Sequence, residues 1–337
     1  MKEIPWSRLF MALTPQRTLN AVEALAAAAA SRLDGHPRAG RAPYVVSVEP
    51  TNLCDLHCPH CETGAGLLTR PAGFMDLELY RHILNVNQRH LLYLLLYGQG
   101  EPLLHPGFPE MVRLAKSRRI CVTSSTNGQR LVDPAWAREI VASGLDSLIL
   151  SADAVSPKSY AVSRCGGSLE NLRAGLCHLR QARRAMGRKT PRLYLQFVIT
   201  RQNEHERPMM AEAARSWGAD HVLLKSLYLH DGMKAEAFLP ADPRFRRYRS
   251  HAGRWVPKTG HRHPCARLAY SCVILWDGNI VPCCFDKNGE HRLENAAKPL
   301  ETIFRSPVFQ AFRRQQRSSK APYICQNCSD GLTLYPT

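Results

Sequence analysis

The sequence lacks any apolar stretch long enough to cross a membrane. Its most apolar runs, residues 21–30 and 91–97, fall short of the roughly 18 consecutive apolar residues that a membrane-spanning helix needs. The N-terminus, with Lys2 and Glu3 ahead of Ile4, has no signal-peptide core followed by a cleavage site. We therefore expect a globular chain that resides in the cytoplasm.

Acidic residues are also scarce, since 28 Asp and Glu stand against 45 Lys and Arg and give a net charge of +17. Such an excess raises the hypothesis of a nucleic-acid-binding protein. The basic residues are spread along the chain, however, and are little interleaved with aromatic residues, as a single-strand binding surface would require. A solvated basic surface is the favoured interpretation, and an acidic substrate, a phosphate group or an anionic membrane surface stays open.

Disulfide bonding is not expected, because a chain of 337 residues with no sign of secretion does not need it. Seven of the twelve cysteines fall in two groups with ligand-like spacing. The first group, Cys54, Cys58 and Cys61, follows the apolar segment 44–48 with the spacing CxxxCxxC. Three thiolates from one loop would hold three irons of a 4Fe–4S cluster and leave the fourth iron open to a small molecule. A structural zinc site is the alternative, although it usually shows CxxC pairs and four closed ligands.

Beyond residue 43 the pattern alternates strand-length apolar runs with helix-length periodic segments. Strands are predicted over residues 44–48, 91–97, 120–124, 147–151, 193–200 and 221–225. Helices are predicted between them over residues 76–89, 109–117, 134–142, 168–186 and 204–217. Repeated βα units imply a parallel sheet with helical crossovers. The predicted fold class is therefore α/β, a partial (β/α)6 barrel of the TIM type with its site at the carboxyl ends of the strands.

Four regions are expected along the chain. Residues 1–42 form a helical extension, 43–229 the barrel, 230–264 a basic linker, and 265–332 a small Cys-rich domain. The extension is predicted to contain a helix that begins at Thr18 or Asn20 and ends near Leu33. We expect its apolar face to pack on the barrel, and attachment to a membrane surface is the weaker alternative.

The cysteine loop and a second motif carry a resemblance to a known family. The CxxxCxxC loop resembles that of the radical S-adenosylmethionine (radical SAM) superfamily, in which the open iron chelates the amino and carboxylate groups of SAM. The turn Gly98-Gln99-Gly100-Glu101-Pro102 after the second strand resembles the family's Gly-Gly-Glu-Pro motif, whose backbone grips the methionine amino group. Gln99 replaces one glycine of that motif. The resemblance thus implies a 4Fe–4S cluster on the three cysteines and SAM as cofactors.

The resemblance implies further cofactor contacts at the ends of the third and fourth strands. Ser125 and Asn127 would contact the ribose and carboxylate of SAM. Ser151 and Asp153 match the Ser-x-Asp stretch of the family. Arg164, a short distance further on, is a candidate to pair with the cofactor carboxylate, and a surface arginine is the alternative.

Five other residues have open roles. His60 takes the place that an aromatic residue usually fills before the third cysteine and could stack near the adenine. Gln196 and Lys225 are polar residues in apolar strands, and they would contact substrate or cofactor only if they face the barrel interior. Cys165 and Cys272 are candidate hydrogen donors, although a spectator thiol is the simpler interpretation of each.

The C-terminal region resembles the SPASM extension of radical SAM enzymes, whose cysteines bind auxiliary iron–sulfur clusters. Asp277-Gly278 predicts a hairpin turn that places Cys283 near the end of the returning strand. The resemblance implies one auxiliary 4Fe–4S cluster, with Cys284 as a possible replacement for Cys283. Zinc on the same four thiolates is the alternative. The ligand set implied is Cys265, Cys283, Cys325 and Cys328.

The function implied by the resemblance is reductive cleavage of SAM to a 5′-deoxyadenosyl radical that abstracts hydrogen from a substrate C–H bond. We predict net oxidation of a small molecule such as a sugar or aminocyclitol alcohol, with the auxiliary cluster as electron acceptor. Oxidation, cross-linking or epimerisation of a peptide is the alternative. An external reductant such as flavodoxin or ferredoxin is an expected partner. Nucleic acid would be the partner only if the chain were a non-catalytic iron–sulfur or zinc protein.

Overall fold

The computed structural model describes residues 6–230, 233–258 and 264–328. These residues form two compact units. The first unit comprises residues 6–52, 69–123 and 264–328, and the second comprises residues 53–68, 124–230 and 233–258. The chain therefore passes between the units several times, and this division does not follow the four predicted regions.

Strands and helices alternate through most of the chain. The strands are β1 (Val45–Val48), β2 (Tyr93–Leu95), β3 (Cys121–Thr126), β4 (Ser147–Ser151), β5 (Arg192–Ile199), β6 (His221–Ser226), β7 (Tyr248–His251), β8 (Arg254–Pro257), β9 (Ser271–Ile274), β10 (Asn279–Val281) and β11 (Glu294–Asn295). The helices are α1 (Trp6–Ala12), α2 (Pro15–Asp34), α3 (Leu77–Asn87), α4 (Phe108–Ser117), α5 (Pro134–Ala142), α6 (Pro157–Ser163), α7 (Leu169–Ala185), α8 (Arg207–Trp217), α9 (Ala235–Phe238), α10 (Arg267–Tyr270), α11 (Leu300–Phe304), α12 (Pro307–Gln315) and α13 (Tyr323–Gln326). The predicted α/β fold with a largely parallel sheet is confirmed.

The sheet of the first unit has the strand order β11-β10-β9-β1-β2-β3. β1 pairs in parallel with β2 on one side and with β9 on the other, so that Val46 lies opposite both Leu94 and Cys272. β10 returns antiparallel to β9 through the Asp277-Gly278 turn, where Gly278 has the left-handed φ of 81°. The C-terminal strands thus extend the sheet that contains β1, within the region predicted as a small Cys-rich domain.

The second unit contains the parallel strands β4, β5 and β6 in that order. Ser151 lies opposite Gln196, and Gln196 lies opposite Leu223. The helix α8 contacts β5 and β6, and it ends at Gly218, whose amide donates to the carbonyls of Ala214 and Arg215. Gly218 therefore forms the C-cap of this helix in the left-handed conformation that glycine favours, with a φ of 88°.

The segment predicted as a basic linker carries regular structure of its own. α9, β7 and β8 lie within residues 230–258, and β7 pairs antiparallel with β8 as a hairpin. Tyr248 is buried in an apolar cluster with Leu227, Leu229, Ala235 and Leu239. A packed hairpin replaces the expected bridge because these apolar residues, spread over the segment, meet only after folding.

The helix α2 packs on the first unit through the opposite face from the one predicted. Its buried residues are Arg17, Asn20, Ala24, Ala28 and Ser31. Its large apolar side chains, in contrast, are exposed. These are Leu19, Val22, Leu25 and Leu33. Small alanines allow the close approach, and the buried polar groups supply the specific bonds. None of the helices in the described ranges has the length and apolar character of a membrane span.

Arg17 joins the N-terminal extension to the rest of this unit through four hydrogen bonds. Its guanidinium donates to the Gln88, Ala12, Arg119 and Arg118 carbonyls at 2.7–3.0 Å. Gln88 and Arg118 follow the last residues of α3 and α4, whose terminal carbonyls have no partner within their own helices. A single side chain from the N-terminal extension therefore caps two helices of the unit.

The Arg17→Met substitution is expected to lower the free energy of unfolding by at least about 3 kcal/mol, because it leaves several carbonyls without a charged donor. Arg32, exposed in the last turn of the same helix, provides the control. Arg32→Met is expected to change stability by less than about 0.5 kcal/mol. Urea titrations of the two variants compare them directly, and equal effects would show that the extension is not held through Arg17.

Candidate active site

The three clustered cysteines lie on a loop of the second unit that backbone hydrogen bonds fold tightly. The Leu56 amide donates to the Cys54 Sγ at 3.4 Å, and the Cys61 amide donates to the Cys58 carbonyl at 3.1 Å. Cys58 is buried, whereas Cys54 and Cys61 are half-buried. Burial raises the pKa of the Cys58 thiol to about 11, and the neighbouring Cys61 adds to this effect while Arg164 opposes it. The loop therefore presents thiols to one another beside a fixed positive charge.

That positive charge belongs to a buried ion pair. The Arg164 Nη2 lies 2.6 Å from the Asp153 Oδ2, and the Arg164 Nη1 lies 3.9 Å from the Cys58 Sγ. The His60 Nε2 lies 3.6 Å from the same Asp153 oxygen. Burial alone would raise the pKa of the Asp153 carboxyl, but Arg164, His60 and the Val198 amide outweigh it, so the pKa is lowered. Asp153 is thus an anion held between the cysteine loop and β5.

The backbone around Asp153 is strained and tightly supported. Asp153 adopts a left-handed φ of 57°, which residues other than glycine rarely do. Its Oδ1 accepts from the Val198 amide at 2.7 Å, and its carbonyl accepts from the Asn203 side chain at 2.5 Å. Such strain persists only where the surroundings over-determine the conformation, and it is frequent at functional sites.

Three predicted cofactor residues lie at or after the carboxyl ends of β3 and β4. Asn127 is buried and donates to the Asp55 carboxylate of the cysteine loop at 2.6 Å. Ser125 is half-buried in β3, two residues before Asn127. Ser151 is buried at the end of β4, two residues before Asp153. The carboxyl ends of β3 and β4 thus carry these polar groups, as the predicted barrel site requires.

The strand register places Gln196 and Lys225 on the same face of the sheet. Gln196 lies directly opposite Ser151, while Lys225 lies opposite Val198. Val198 is two residues after Gln196, so all these residues share one face of the sheet. Gln196 and Lys225 are both half-buried there, on the same face as Ser151.

The candidate hydrogen donors Cys165 and Cys272 have different surroundings. The Cys165 thiol donates to the Ala161 and Val162 carbonyls of α6 at 3.3 and 3.5 Å. Cys272 is buried in β9, and burial raises the pKa of its thiol to about 12. The Cys165 thiol is therefore bonded to the preceding helix α6, and Cys272 is a core thiol.

The glycine-rich turn of the first unit follows β2 and is held by Glu49. The Gln99 amide donates to the Glu49 Oε2 at 3.0 Å. A Cβ atom on Gly98 would lie 2.9 Å from the Glu49 Cβ, so only glycine fits there. Gly100 adopts the left-handed φ of 75°. Glu101 accepts from the Leu103 amide at 3.0 Å, so one of its carboxylate oxygens caps the following turn.

The four C-terminal cysteines also lie in the first unit, where they influence one another electrostatically. Burial, together with the thiols of Cys284, Cys325 and Cys265, raises the pKa of Cys283 well above its ordinary value. Burial raises the pKa of Cys325 to about 12, with Cys265 and Cys328 contributing. The Cys265 amide is held by the Gln316 side chain at 3.1 Å.

Cys284 differs from the other members of this group. Its side chain is exposed and accepts from the Arg267 Nη1 at 3.8 Å. Cys283 is less exposed and interacts with Cys325 and Cys265. Cys283 is thus the less exposed of the two adjacent thiols, and its role as a ligand stays a prediction.

Both cysteine groups suit soft-metal chemistry by their donor set. Thiolates with nearby N–H donors are the ligands that iron–sulfur clusters use. Within residues 6–230, 233–258 and 264–328, no three His, Cys, Asp or Glu side chains are arranged to hold a metal ion as they lie. The fit consequently rests on the chemistry of the thiol donor set and on the burial of Cys58, Cys325 and Cys328.

Sequence reasoning missed the buried pair Glu49 and Arg70. The Arg70 Nη2 lies 2.6 Å from the Glu49 Oε2, and both side chains are almost fully buried. The available signal for Glu49 was a charged residue directly after the apolar strand β1. Nothing in the sequence connects it with Arg70, which is 21 residues further on. The contact between His60 and Asp153 was missed for the same reason.

Comparison with known proteins identifies the family. The family model of the radical SAM superfamily matches residues 48–214, and that of an iron–sulfur cluster-binding domain, SPASM, matches residues 265–329. A Pyrococcus furiosus protein described as a tungsten-containing aldehyde ferredoxin oxidoreductase cofactor-modifying protein is 27% identical over 70% of this chain and 69% of its own length. The PqqA peptide cyclase of Granulibacter bethesdensis is 26% identical over 59% of this chain. That alignment spans only about half, 52%, of the cyclase.

Solved structures show the same fold. SuiB of Streptococcus suis bound to S-adenosylmethionine superposes with a TM-score of 0.65 at 15% identity, covering 94% of this chain and 77% of SuiB. SuiB bound to its precursor peptide SuiA gives a TM-score of 0.62. The chain belongs to the radical SAM superfamily and carries a C-terminal SPASM domain. It is accordingly an enzyme of the class that uses a 4Fe–4S cluster and SAM, with auxiliary iron–sulfur binding in the SPASM domain.

Proposed function

We propose that this chain oxidises its substrate by radical chemistry, with Cys54, Cys58 and Cys61 holding the 4Fe–4S cluster that engages SAM. The observation that carries this proposal is the position of the buried Cys58, whose Sγ lies 3.9 Å from the guanidinium that Arg164 pairs with Asp153 at 2.6 Å. When bound, the cluster and SAM supply a 5′-deoxyadenosyl radical that takes hydrogen from a substrate carbon, and the auxiliary cluster supplies an acceptor for the remaining electron. An external reductant such as flavodoxin or ferredoxin would deliver the initiating electron.

The residues of the chain would bind and orient the cofactor. Arg164, fixed by Asp153 at 2.6 Å, presents a positive charge next to Cys58 that suits both a thiolate and a cofactor carboxylate. The His60 ring lies 3.6 Å from the Asp153 carboxylate. His60 is therefore proposed to support the Asp153 carboxylate instead of stacking on the adenine. Within its own unit, the turn that contains Gly98, Gly100 and Glu101 is proposed to bind the methionine amino group.

Gln196 on β5 and Lys225 on β6 are proposed to contact the substrate inside the barrel, beside the predicted cofactor residue Ser151 of β4. Ser151 and Gln196 lie opposite each other on one face of the sheet. Lys225 of β6 shares this face through its partner Val198. An amine and an amide at this position would bind substrate oxygens by hydrogen bonds.

The auxiliary site provides the test of net oxidation. We expect the Cys325→Ser variant to lose about four of its irons per chain, as expected for one 4Fe–4S cluster. It should retain SAM cleavage to 5′-deoxyadenosine within about threefold, since that reaction belongs to the other cluster, and it should lose oxidised product. Iron, sulfide and 5′-deoxyadenosine are measured on the same anaerobic sample. Zinc bound in place of iron, with product formation intact, would contradict the proposed electron acceptor.

A peptide is the substrate class that the names of several relatives support. The PqqA peptide cyclase carries a peptide substrate in its name, and SuiB has been crystallised with its precursor peptide. We therefore propose a peptide substrate first, in place of the sugar or aminocyclitol favoured by sequence reasoning. Candidate peptides and small alcohols are to be incubated with the reduced enzyme, and a loss of 2 Da assigns the substrate. A mass loss seen only with the alcohols would overturn the peptide proposal.

A further inference from the structure

A buried ion pair joins the glycine-rich turn to the C-terminal domain within the first unit. Glu49 follows β1, and its side chain accepts three hydrogen bonds. Its Oε2 receives the Arg70 Nη2 at 2.6 Å and the Gln99 amide at 3.0 Å, and its Oε1 receives the Trp276 amide at 3.3 Å. Gln99 follows β2 and Trp276 follows β9, so one carboxylate connects the carboxyl ends of three neighbouring strands.

Arg70 extends this connection to the segment after the auxiliary cysteines. Its Nε donates to the Lys287 carbonyl at 2.6 Å, and the preceding Thr69 amide donates to the Asn288 side chain at 3.0 Å. Trp276 adds a second link, because its indole N–H donates to the Pro71 carbonyl at 3.1 Å. Residues 69–71 are thus bonded to the SPASM domain at three points.

The bond from Gln99 determines which way the turn faces. The peptide between Gly98 and Gln99 is planar and trans, so its carbonyl points opposite to its N–H group. Since the N–H of Gln99 points at Glu49, the Gly98 carbonyl is directed away from Glu49. A side chain at position 98 would collide with Glu49, because a Cβ added to Gly98 would lie 2.9 Å from the Glu49 Cβ.

We propose that Glu49 is a positioning residue for SAM binding, which holds the Gly98–Gln99 peptide in its ligand-binding orientation, and that Arg70 supports it. The inference deepens the proposed function and rests on the assignment of this turn to the methionine amino group. A carboxylate compensated by a guanidinium and two backbone amides makes strong, charge-assisted hydrogen bonds. The same pair makes the shape of the turn depend on contacts with the C-terminal domain.

Removing only one partner of the pair would leave a buried charge, so the test uses two double variants. Glu49→Leu/Arg70→Met replaces both charges with apolar side chains, a change that buried ion pairs often tolerate without loss of stability. It removes the Glu49 carboxylate that the Gln99 amide donates to. Glu49→Gln/Arg70→Met also removes both charges, but it keeps a side-chain oxygen at position 49 for that amide. The comparison isolates the bond to Gln99.

Two readouts follow the variants in the iron-loaded full chain. Equilibrium dialysis with SAM is expected to give a Kd about tenfold or more weaker for Glu49→Leu/Arg70→Met, corresponding to one lost hydrogen bond to a charged group. The Glu49→Gln/Arg70→Met variant should stay within about threefold of wild type. Hydrogen exchange at the Gln99 amide should accelerate about tenfold or more in the first variant only. Glu294→Gln, at an exposed pair with Lys298, is the control and should leave both readouts unchanged.

Wild-type SAM affinity and wild-type Gln99 exchange in Glu49→Leu/Arg70→Met, at full iron content, would overturn the proposal. Equal weakening in both double variants would also overturn it, because charge or packing would then be responsible. If the iron-loaded wild type itself bound no SAM, the proposed function would fail. The exchange measurement would still report whether Glu49 holds the Gln99 amide, so the two failures are distinguishable.

Discussion

The Cys58→Ala variant is expected to form no detectable 5′-deoxyadenosine from SAM and to lose about four irons per chain. Cys58 is the buried member of the three cysteines in the second unit, and it lies 3.9 Å from the Arg164 guanidinium. A cluster that already leaves one iron open for SAM cannot spare another protein ligand. Anaerobic reconstitution followed by iron and sulfide analysis and chromatography of the nucleoside products measures both effects.

The matched control for this prediction is Cys177→Ala. Cys177 is exposed on α7, where its Sγ accepts from the Gln181 side chain at 3.4 Å. Its removal should change neither the iron content nor the rate of SAM cleavage. Undiminished 5′-deoxyadenosine formation by Cys58→Ala would contradict the assignment of the cluster to this loop.

The Asp153→Asn variant is expected to lower the free energy of unfolding by about 3–5 kcal/mol, because it leaves Arg164 as an unpaired charge at a mostly buried position. Asp153 is fully buried, and it also accepts the Val198 amide at 2.7 Å. At about 2–4 °C per kcal/mol, the thermal midpoint should fall by on the order of 10 °C. Thermal scans of the iron-loaded protein at a fixed rate measure this change.

An exposed ion pair elsewhere in the second unit supplies the comparison. Arg215 and Glu212 lie 2.5 Å apart on α8, and both side chains are 70% exposed. Glu212→Gln should change the free energy of unfolding by less than about 0.5 kcal/mol, as exposed pairs usually do. If Asp153→Asn were no more destabilising than Glu212→Gln, Asp153 would not be the structural centre that its contacts indicate.

Much of the fold could be predicted from local sequence patterns. The strand Ser147–Ser151 and the helix Pro134–Ala142 have the predicted bounds. The helix begins cleanly because Asp133 caps it and Pro134 occupies its first turn. The predicted turn at Gly278 is confirmed as well, since a left-handed residue is required there.

Other parts of the fold depend on contacts between distant residues. The parallel pairing of β9 with β1 joins residues more than 200 positions apart, and no local pattern signals it. The hairpin of β7 and β8 was hidden in a basic segment whose buried anchor, Tyr248, finds its partners only in the folded unit. The extension packs through Arg17 because the carbonyls at the helix ends need hydrogen-bond donors. These hydrogen bonds outweigh the cost of leaving the apolar side chains of Leu19 and Val22 exposed.

For the candidate site, sequence motifs were sufficient to select residues but not to relate them. Asp153 and Arg164 were selected separately, and the structure shows them as an ion pair. The family models support the cysteine motifs, whereas the individual cofactor contacts remain predictions. Glu49 and Arg70 illustrate the general limit, because a buried pair has no sequence spacing that identifies it.

The most direct test of the central claim measures iron, sulfide and 5′-deoxyadenosine together on the wild-type chain. The protein is purified and reconstituted anaerobically, then reduced with dithionite in the presence of SAM. We predict about eight irons per chain, as expected for two 4Fe–4S clusters, with formation of 5′-deoxyadenosine. About four irons per chain together with bound zinc would contradict only the auxiliary cluster and not the SAM-binding cluster. A chain that bound no iron and cleaved no SAM would contradict the radical mechanism itself.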